Sequence, residues 1–395
     1  MRWWIVALVS LGTIVNYLSR NTLGILAPVL KSDLGLTTEQ YSYVVGAFQA
    51  AYTVMQPVCG LILDTLGLKS GFALFALLWS AASCAHIFAG GWLSLAAFRG
   101  WLGLAEAAAI PAGVKAIAEW FPAKERSVGM GLFNIGTSIG AMLAPPMVAF
   151  LEIHYGWRSA FLATGAMGFA FAILWRLVYR SPKRAENETK PPRPALLPIL
   201  KSRAFWGLGL PRFLFEPAWQ TFIFWVPLYF ATARGMDIRE IGMFAWLPFL
   251  AADLGSLFGG FISPFLMKYF GFGLVASRLA GIVMGALIMI APGCVGLAPT
   301  AILAVVLLCA GGFGHQILSG LINTLATDKF GAHEVATASG LAGMAGWMGG
   351  LSFSLVIGQL VDHIGYTPVF ASLSLFDLIG AGIALLLLRE PRTAR

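Results

Sequence analysis

Apolar runs long enough to cross a bilayer recur along the whole chain. They fall at roughly residues 3–28, 41–63, 71–90, 92–116, 127–150, 159–179, 204–231, 241–266, 276–297, 300–325, 337–361 and 368–388. A hydrocarbon core of about 30 Å takes about 20 helical residues to cross. Within it every backbone N–H and C=O must find a partner inside its own segment or barrel. Runs of this length select helices, about twelve of them. Only 11% of the residues are charged, against about 25% in a soluble domain, so lipid is part of the solvent. The fold class is an all-α membrane protein.

The longest polar interruption is "RSPKRAENETKPPRPALLPILKSR", residues 180–203. It divides the chain into an N-terminal bundle of six spans (1–179), a basic linker, and a C-terminal bundle of six (204–395). Lys and Arg concentrate on the cytoplasmic side of membrane proteins. With both termini placed there, the outer loops hold only Lys31, Arg158, Arg234 and Arg239. The inner side holds Arg2, Lys69, Lys124, Arg126, the linker, Lys268, Arg278, Lys329 and the basic tail. The net charge of +8 therefore reads as topology, with no nucleic-acid role. The apolar start continues through Arg20 to Pro28 without a small-residue cleavage site, so it counts as the first span and not as a leader. Cys59, Cys84, Cys294 and Cys309 lie in apolar runs without ligand spacing and read as packing residues.

The two halves repeat. Shifting "FPAKERSVGMG…LEIHYGWRSAF" by 209 positions lays it on "FGAHEVATASG…LVDHIGYTPVF" without a gap, and an offset of 200 puts Gly60 on Gly260. Duplicated bundles with a site near the midplane are the design of secondary transporters.

Within the first span, "NYLSRNTLG" places Arg20 at membrane depth, which costs from about 3 to above 10 kcal/mol by different measures. Arg99 and Glu106 in the fourth run are seven residues apart. They share a helix face about 10 Å apart along the axis. Counted from the ends of their runs, Arg20 and Arg99 come out in the same outer half of the membrane. Two guanidinium groups facing one cavity repel unless an anion bridges them, and a guanidinium grips a carboxylate bidentately. The competing reading is a permanent ion pair of one arginine with Glu106.

The loop "GLILDTLGLKSG", with Gly60, Asp64, Gly67 and Lys69, resembles the loop motif of the major facilitator superfamily, with Thr65 where a basic residue is usual. "NYLSRNTLGILAP", "GAFQAAYTVMQP", the run "FRGWLGLAEAAAIPAGVKAIAEWFPAKERSVGMGLFNIGTSIGAMLAPP", "AWLPFLAADLGSLFGG" and "GFGHQILSG" are similar to the anion:cation symporter branch, above all its hexuronate transporters. The resemblance implies a twelve-helix major facilitator fold of two pseudo-symmetric six-helix bundles. It implies proton-coupled symport of a sugar acid by alternating access. It makes Arg20 and Arg99 the carboxylate-binding residues, Glu106 the proton carrier and Tyr52 a substrate contact. Galactonate-type members carry an aspartate at the position of Ser19, where this chain has a hydroxyl and no acid.

Other residues extend the expected site. Glu106 needs a proton whenever it is desolvated without a cation nearby. Under the 209 shift it meets His315 in "GFGHQ", a second titrating group, a donor to sugar hydroxyls, or a neutral histidine in a helix contact. Gln220, Trp225, Gln316 and Asn323 are the remaining candidate substrate contacts. Aromatic rings such as Trp219, Phe224 and Trp225 stack on sugar C–H faces, while amides bind hydroxyls. Arg212 and Glu216 read as a local ion pair beside the Pro217 kink. Asp253 is either a functional acid or a latch. The "GLAGMAGWMGG" run is a small-residue packing face.

Neither a nucleophile–base arrangement nor a metal-ligand spacing occurs, so no enzyme activity, metal or cofactor is expected. The expected partners are a sugar-acid anion, a proton and lipid, and the expected setting is a bacterial inner membrane, as a monomer. The alternatives are another organic anion (an aldonate, an aldarate or an aromatic acid) or a sensor that binds without transporting.

Overall fold

The computed structural model describes residues 2–121, 126–180, 196–330 and 335–389. Every regular element among them is helical: α1 (Arg2–Asp33), α2 (Thr38–Ala85), α3 (Trp92–Glu106), α4 (Ala109–Trp120), α5 (Arg126–Tyr155), α6 (Trp157–Val178), α7 (Leu196–Lys201), α8 (Arg203–Phe224), α9 (Val226–Arg234), α10 (Ile238–Phe244), α11 (Leu247–Phe270), α12 (Leu274–Ile288), α13 (Ile290–Gly293), α14 (Ala301–Lys329), α15 (Val335–Ile364) and α16 (Tyr366–Leu388).

Among the described residues, nine stretches are long and apolar enough to cross a membrane. The other three of the expected twelve are α1, the part of α2 before Gly67, and α8. Polar residues dilute two of them: Asn16, Ser19, Arg20 and Asn21 in α1, and Arg212, Glu216 and Gln220 in α8. Both spans carry candidate functional side chains. Gly67 has φ +73°, a left-handed conformation that costs only glycine nothing, and it breaks α2 into two spans.

Breaks within other spans have a common cause. The helical hydrogen-bond ladder is interrupted at Ala107–Ala108, Trp225, Ala245–Trp246 and Met289, each shortly before Pro111, Pro227, Pro248 or Pro292, while Ala107, Ala108, Trp225, Ala245 and Met289 keep right-handed helical backbone angles. Proline lacks the N–H for the carbonyl four residues back, and its ring disfavours helix in the residue before it. The run expected over 92–116 is one span, Trp92–Ile117, with a local interruption at Ala107–Ala108 just after Glu106.

The predicted duplication is visible in the element ends. α5 and α15 begin and end 209 residues apart, and the turns after them use Gly156 and Gly365, both left-handed. With an offset of 200, Thr37 and Asp237 each cap a helix in a reciprocal box, with Gln40 and Glu240. Each satisfies two orphan backbone donors of its helix N-terminus.

The chain forms two compact units. The first comprises Met1–Glu188 with Ile223–Trp246, and the second Thr189–Phe222 with Leu247–Arg395. In the first, Phe72, Trp79, Phe171 and Trp175 interlock; the Phe72 and Trp175 rings meet edge-to-face at 4.9 Å. Gly136 and Gly140 of α5 lie so close to α1 that a Cβ on either would fall 2.7 Å from the Ser10 or Ile14 carbonyl oxygen. Segment Ile223–Trp246 packs here too: Tyr41 Oη donates to the Phe224 carbonyl at 2.7 Å, and Gly24 lies against the Ile223 carbonyl. In the second unit, Gly255 and Gly312 bring α11 and α14 together backbone to backbone. Lipid supplies no hydrophobic drive between spans, so such close packing holds the bundle.

Candidate functional site

In the first unit, α1 and α3 bring Arg20, Arg99 and Glu106 together. Arg20 is 2% exposed, and Arg99 and Glu106 are fully buried. Arg20 Nε donates to Glu106 Oε2 at 3.1 Å, and Arg20 Nη2 to Asn16 Oδ1 at 3.1 Å, one helical turn back. Glu106 is the last residue of α3, immediately before the interruption at Ala107–Ala108.

Aromatic faces complete the enclosure. The Arg20 guanidinium lies 4.6 Å from the Tyr17 ring centroid, 4.7 Å from Tyr52 and 5.5 Å from Phe48. Arg99 lies 4.5 Å from Phe48 and 5.9 Å from Phe224. Phe48 therefore serves both cations, an attraction of about 0.5–2 kcal/mol each. Arg99 Nη2 reaches the Arg20 carbonyl at 3.4 Å, while its Nε and Nη1 make no hydrogen bond. Glu106 Oε1 and both amide atoms of the buried Asn21 also lack hydrogen bonds. Two cations and one carboxylate leave one positive charge in excess.

The second unit gathers a softer set. Gln220 Nε2 donates to Glu216 Oε1 at 3.1 Å, again one turn back. Arg212 Nη1 donates to Asn323 Oδ1, and Arg212 stands 4.0 Å from Glu216. The expected local ion pair is present but loose, since each member has a nearer partner. His315 is buried and stacked on Trp219, with ring centroids 5.6 Å apart and its Nδ1 unbonded. Gln316 is half-buried on the same helix.

Trp225 lies in the other unit from Gln220. It is fully buried, with its ring edge-on to Tyr41 at 5.3 Å. The turn around Gly60, Gly67 and Lys69 is tied down by three donors: Lys115 Nζ to the Leu63 carbonyl, Trp175 Nε1 to the Lys69 carbonyl, and Arg176 to Ser70 Oγ. The Asp64 side chain lies outside the described residues.

Sequence reasoning missed Phe48 and Asp377. Phe48 is an aromatic in an apolar run and gives no signal. Asp377 in α16 is fully buried with neither carboxylate oxygen hydrogen-bonded; an acid inside an apolar run was the signal available.

Buried charges at mid-span in a duplicated helical bundle define a membrane carrier, not an enzyme. The chain belongs to the Major Facilitator Superfamily, whose pattern matches residues 9–354. It is 48% identical to the hexuronate transporter of Escherichia coli K12, over 96% of this chain and 92% of that one. It is 46% identical to the galacturonate transporter of Dickeya chrysanthemi, over 75% of this chain and 91% of the relative. In fold it is similar to a bacterial homolog of the human lysosomal transporter Spinster (TM-score 0.77, 18% identity, 98% of this chain and 97% of that one). The same holds for a D-xylose–proton symporter (TM-score 0.76, 15% identity, 98% of both).

Proposed function

We propose that this transporter carries a hexuronate-type sugar acid into the cell together with a proton, by alternating access of its two six-helix halves, 1–179 and 204–395, joined by the basic linker 180–203. Both termini face the cytoplasm of a bacterial cell, and one chain suffices. The names of its two nearly half-identical relatives support the substrate class.

One observation carries the mechanism: Arg20 is held by Glu106, while the neighbouring Arg99 has two buried nitrogens, Nε and Nη1, without a hydrogen bond. A carboxylate entering this site competes with Glu106 for Arg20. Protonation of Glu106 weakens its claim, because a neutral carboxyl loses the charge-assisted bond. The substrate carboxylate then bridges Arg20 and Arg99. Two arginines with ionised Glu106 carry one net positive charge; two arginines with protonated Glu106 and a bound monoanion also carry one. Proton and anion therefore cross together at almost no electrical cost. Tyr52 beside Arg20 is placed to contact the bound acid. Gln220, His315, Gln316 and Asn323 of the second half supply hydroxyl contacts, and Trp225 packs at the margin. Gly60, Asp64, Gly67 and Lys69 hold one conformation.

The test is uptake into proteoliposomes across a panel of sugar acids, with and without an inward proton gradient. Glucuronate and galacturonate accumulate only with the gradient, and the parent hexoses do not compete. Accumulation without a gradient, or efficient glucose competition, refutes the reading.

A further inference from the structure

Helices α8, α15 and α16 of the second unit enclose a cavity of about 530 Å³. Its mouth is formed by Phe213, Val356, Leu360 and Ile364, exposed apolar side chains of membrane spans. The cavity is thus continuous with the surface that lipid covers. No charged residue lines it. Its two hydroxyls are turned back on their own helices: Ser352 Oγ donates to the Met348 carbonyl at 2.9 Å, and Ser372 Oγ to the Val369 carbonyl at 2.7 Å. What remains is a wall that offers an occupant only hydrocarbon.

The dimensions narrow the occupant further. Along α15 the lining runs from Ile364, next to the Gly365 turn, back to Gly349, about 22 Å of helix rise. Along α16 it runs from Pro368 to Phe376, about 12 Å. One leaflet of a core about 30 Å thick is about 15 Å deep. The groove therefore descends from headgroup level at the α15–α16 turn to the middle of the membrane. Its floor is the turn of α8 around Pro217. Pro217 leaves the Phe213 carbonyl without a helical donor, and Gly349 packs directly on that carbonyl, where any Cβ would overlap it.

We propose that this groove binds one acyl chain of a membrane phospholipid whose headgroup sits at the α15–α16 turn. The polar residues Glu216 and Gln220 occupy the same stretch of α8 as the groove residues Phe213 and Pro217. An acyl chain there would brace the proline-containing segment that carries them.

The probe is a phosphatidylethanolamine with a mid-chain diazirine, reconstituted with the whole protein and mapped by peptide mass spectrometry. A diazirine fatty acid serves as the second arm. The expected result is several-fold enrichment of phospholipid label on groove residues such as Val356 and Phe376 over the exposed belt residues Phe261 and Leu386. Ser352→Trp or Ser372→Trp fills the groove and removes that enrichment while belt labelling persists. Should either variant fail to fold, the wild-type map decides alone. Label spread evenly around the belt, groove labelling by the fatty acid only, or a groove protected by a cross-linked second copy would each overturn the proposal.

Discussion

Two residue sets related by the internal repeat show how one scaffold was tuned twice. Arg20 and Gln220 lie 200 residues apart, as do their acceptors Asn16 and Glu216, and both bonds span one helical turn at 3.1 Å. Glu106 and His315 lie 209 apart. The first unit thus has a cation bonded to an amide where the second has an amide bonded to a carboxylate, and an acid where the second has an imidazole stacked on Trp219. Equivalent positions carry the polar pair in both; among these sets the deeply buried arginines, Arg20 and Arg99, belong to the first. On the proposed reading, the substrate carboxylate is handled by the first unit and its hydroxyls by the second.

That contrast is most exposed by removing Arg20. Arg20→Ala leaves Glu106 buried without its cation, which costs about 3–5 kcal/mol, so both thermal stability and hexuronate binding collapse. Adding Glu106→Gln restores the melting temperature without restoring binding, as read by thermal scanning and calorimetry. Recovery of binding in the double variant would show that Arg20 only balances Glu106.

Next in size is Glu106→Gln alone. It fixes the neutral state, so counterflow exchange survives and accumulation against a gradient disappears. If His315→Ala shows that phenotype instead, proton handling belongs to the second unit and the contrast is reversed.

Asp377 gives a smaller effect of opposite sign. An acid buried without any bond is a liability of about 1–3 kcal/mol, so Asp377→Leu raises the melting temperature and leaves uptake intact. A fall in uptake at unchanged stability would give the second unit an ionisable working group. Smallest is Gln220→Ala, which removes one neutral hydrogen-bonding side chain worth about 0.5–1.5 kcal/mol. Its KM for uronate rises no more than about ten-fold, and its gradient dependence is untouched. Loss of coupling in this variant would blur the division between the units.

Much of this was legible from residue type and position. Charges in apolar runs announced Arg20, Arg99 and Glu106, and the 209-residue shift anticipated the matching ends of α5 and α15. The pairing of Arg20 with Glu106 was only one of two readings. What decides it is the packing of α1 beside α3, which sets Arg20 Nε 3.1 Å from Glu106 Oε2, and a hydropathy pattern carries no record of which helices meet. Phe48 was illegible for a different reason. Its value lies in sitting under two cations from different helices, a three-body arrangement with no local signature. The loose Arg212–Glu216 pair shows the converse: spacing predicts proximity, but Asn323, more than 100 residues away in sequence, offers Arg212 the better partner.

The allegiance of Ile223–Trp246 to the first unit bears on how the chain could be assembled from pieces. The polypeptide passes between the units at the linker and again on either side of this segment. A cut inside 180–203 therefore does not separate the units cleanly. The downstream fragment keeps a strap, Phe224 bonded to Tyr41 and Ile223 lodged against Gly24, that completes the upstream fragment's fold. Co-expressed as two polypeptides, the halves should copurify through a single affinity tag, held by a borrowed piece of structure in place of a peptide bond.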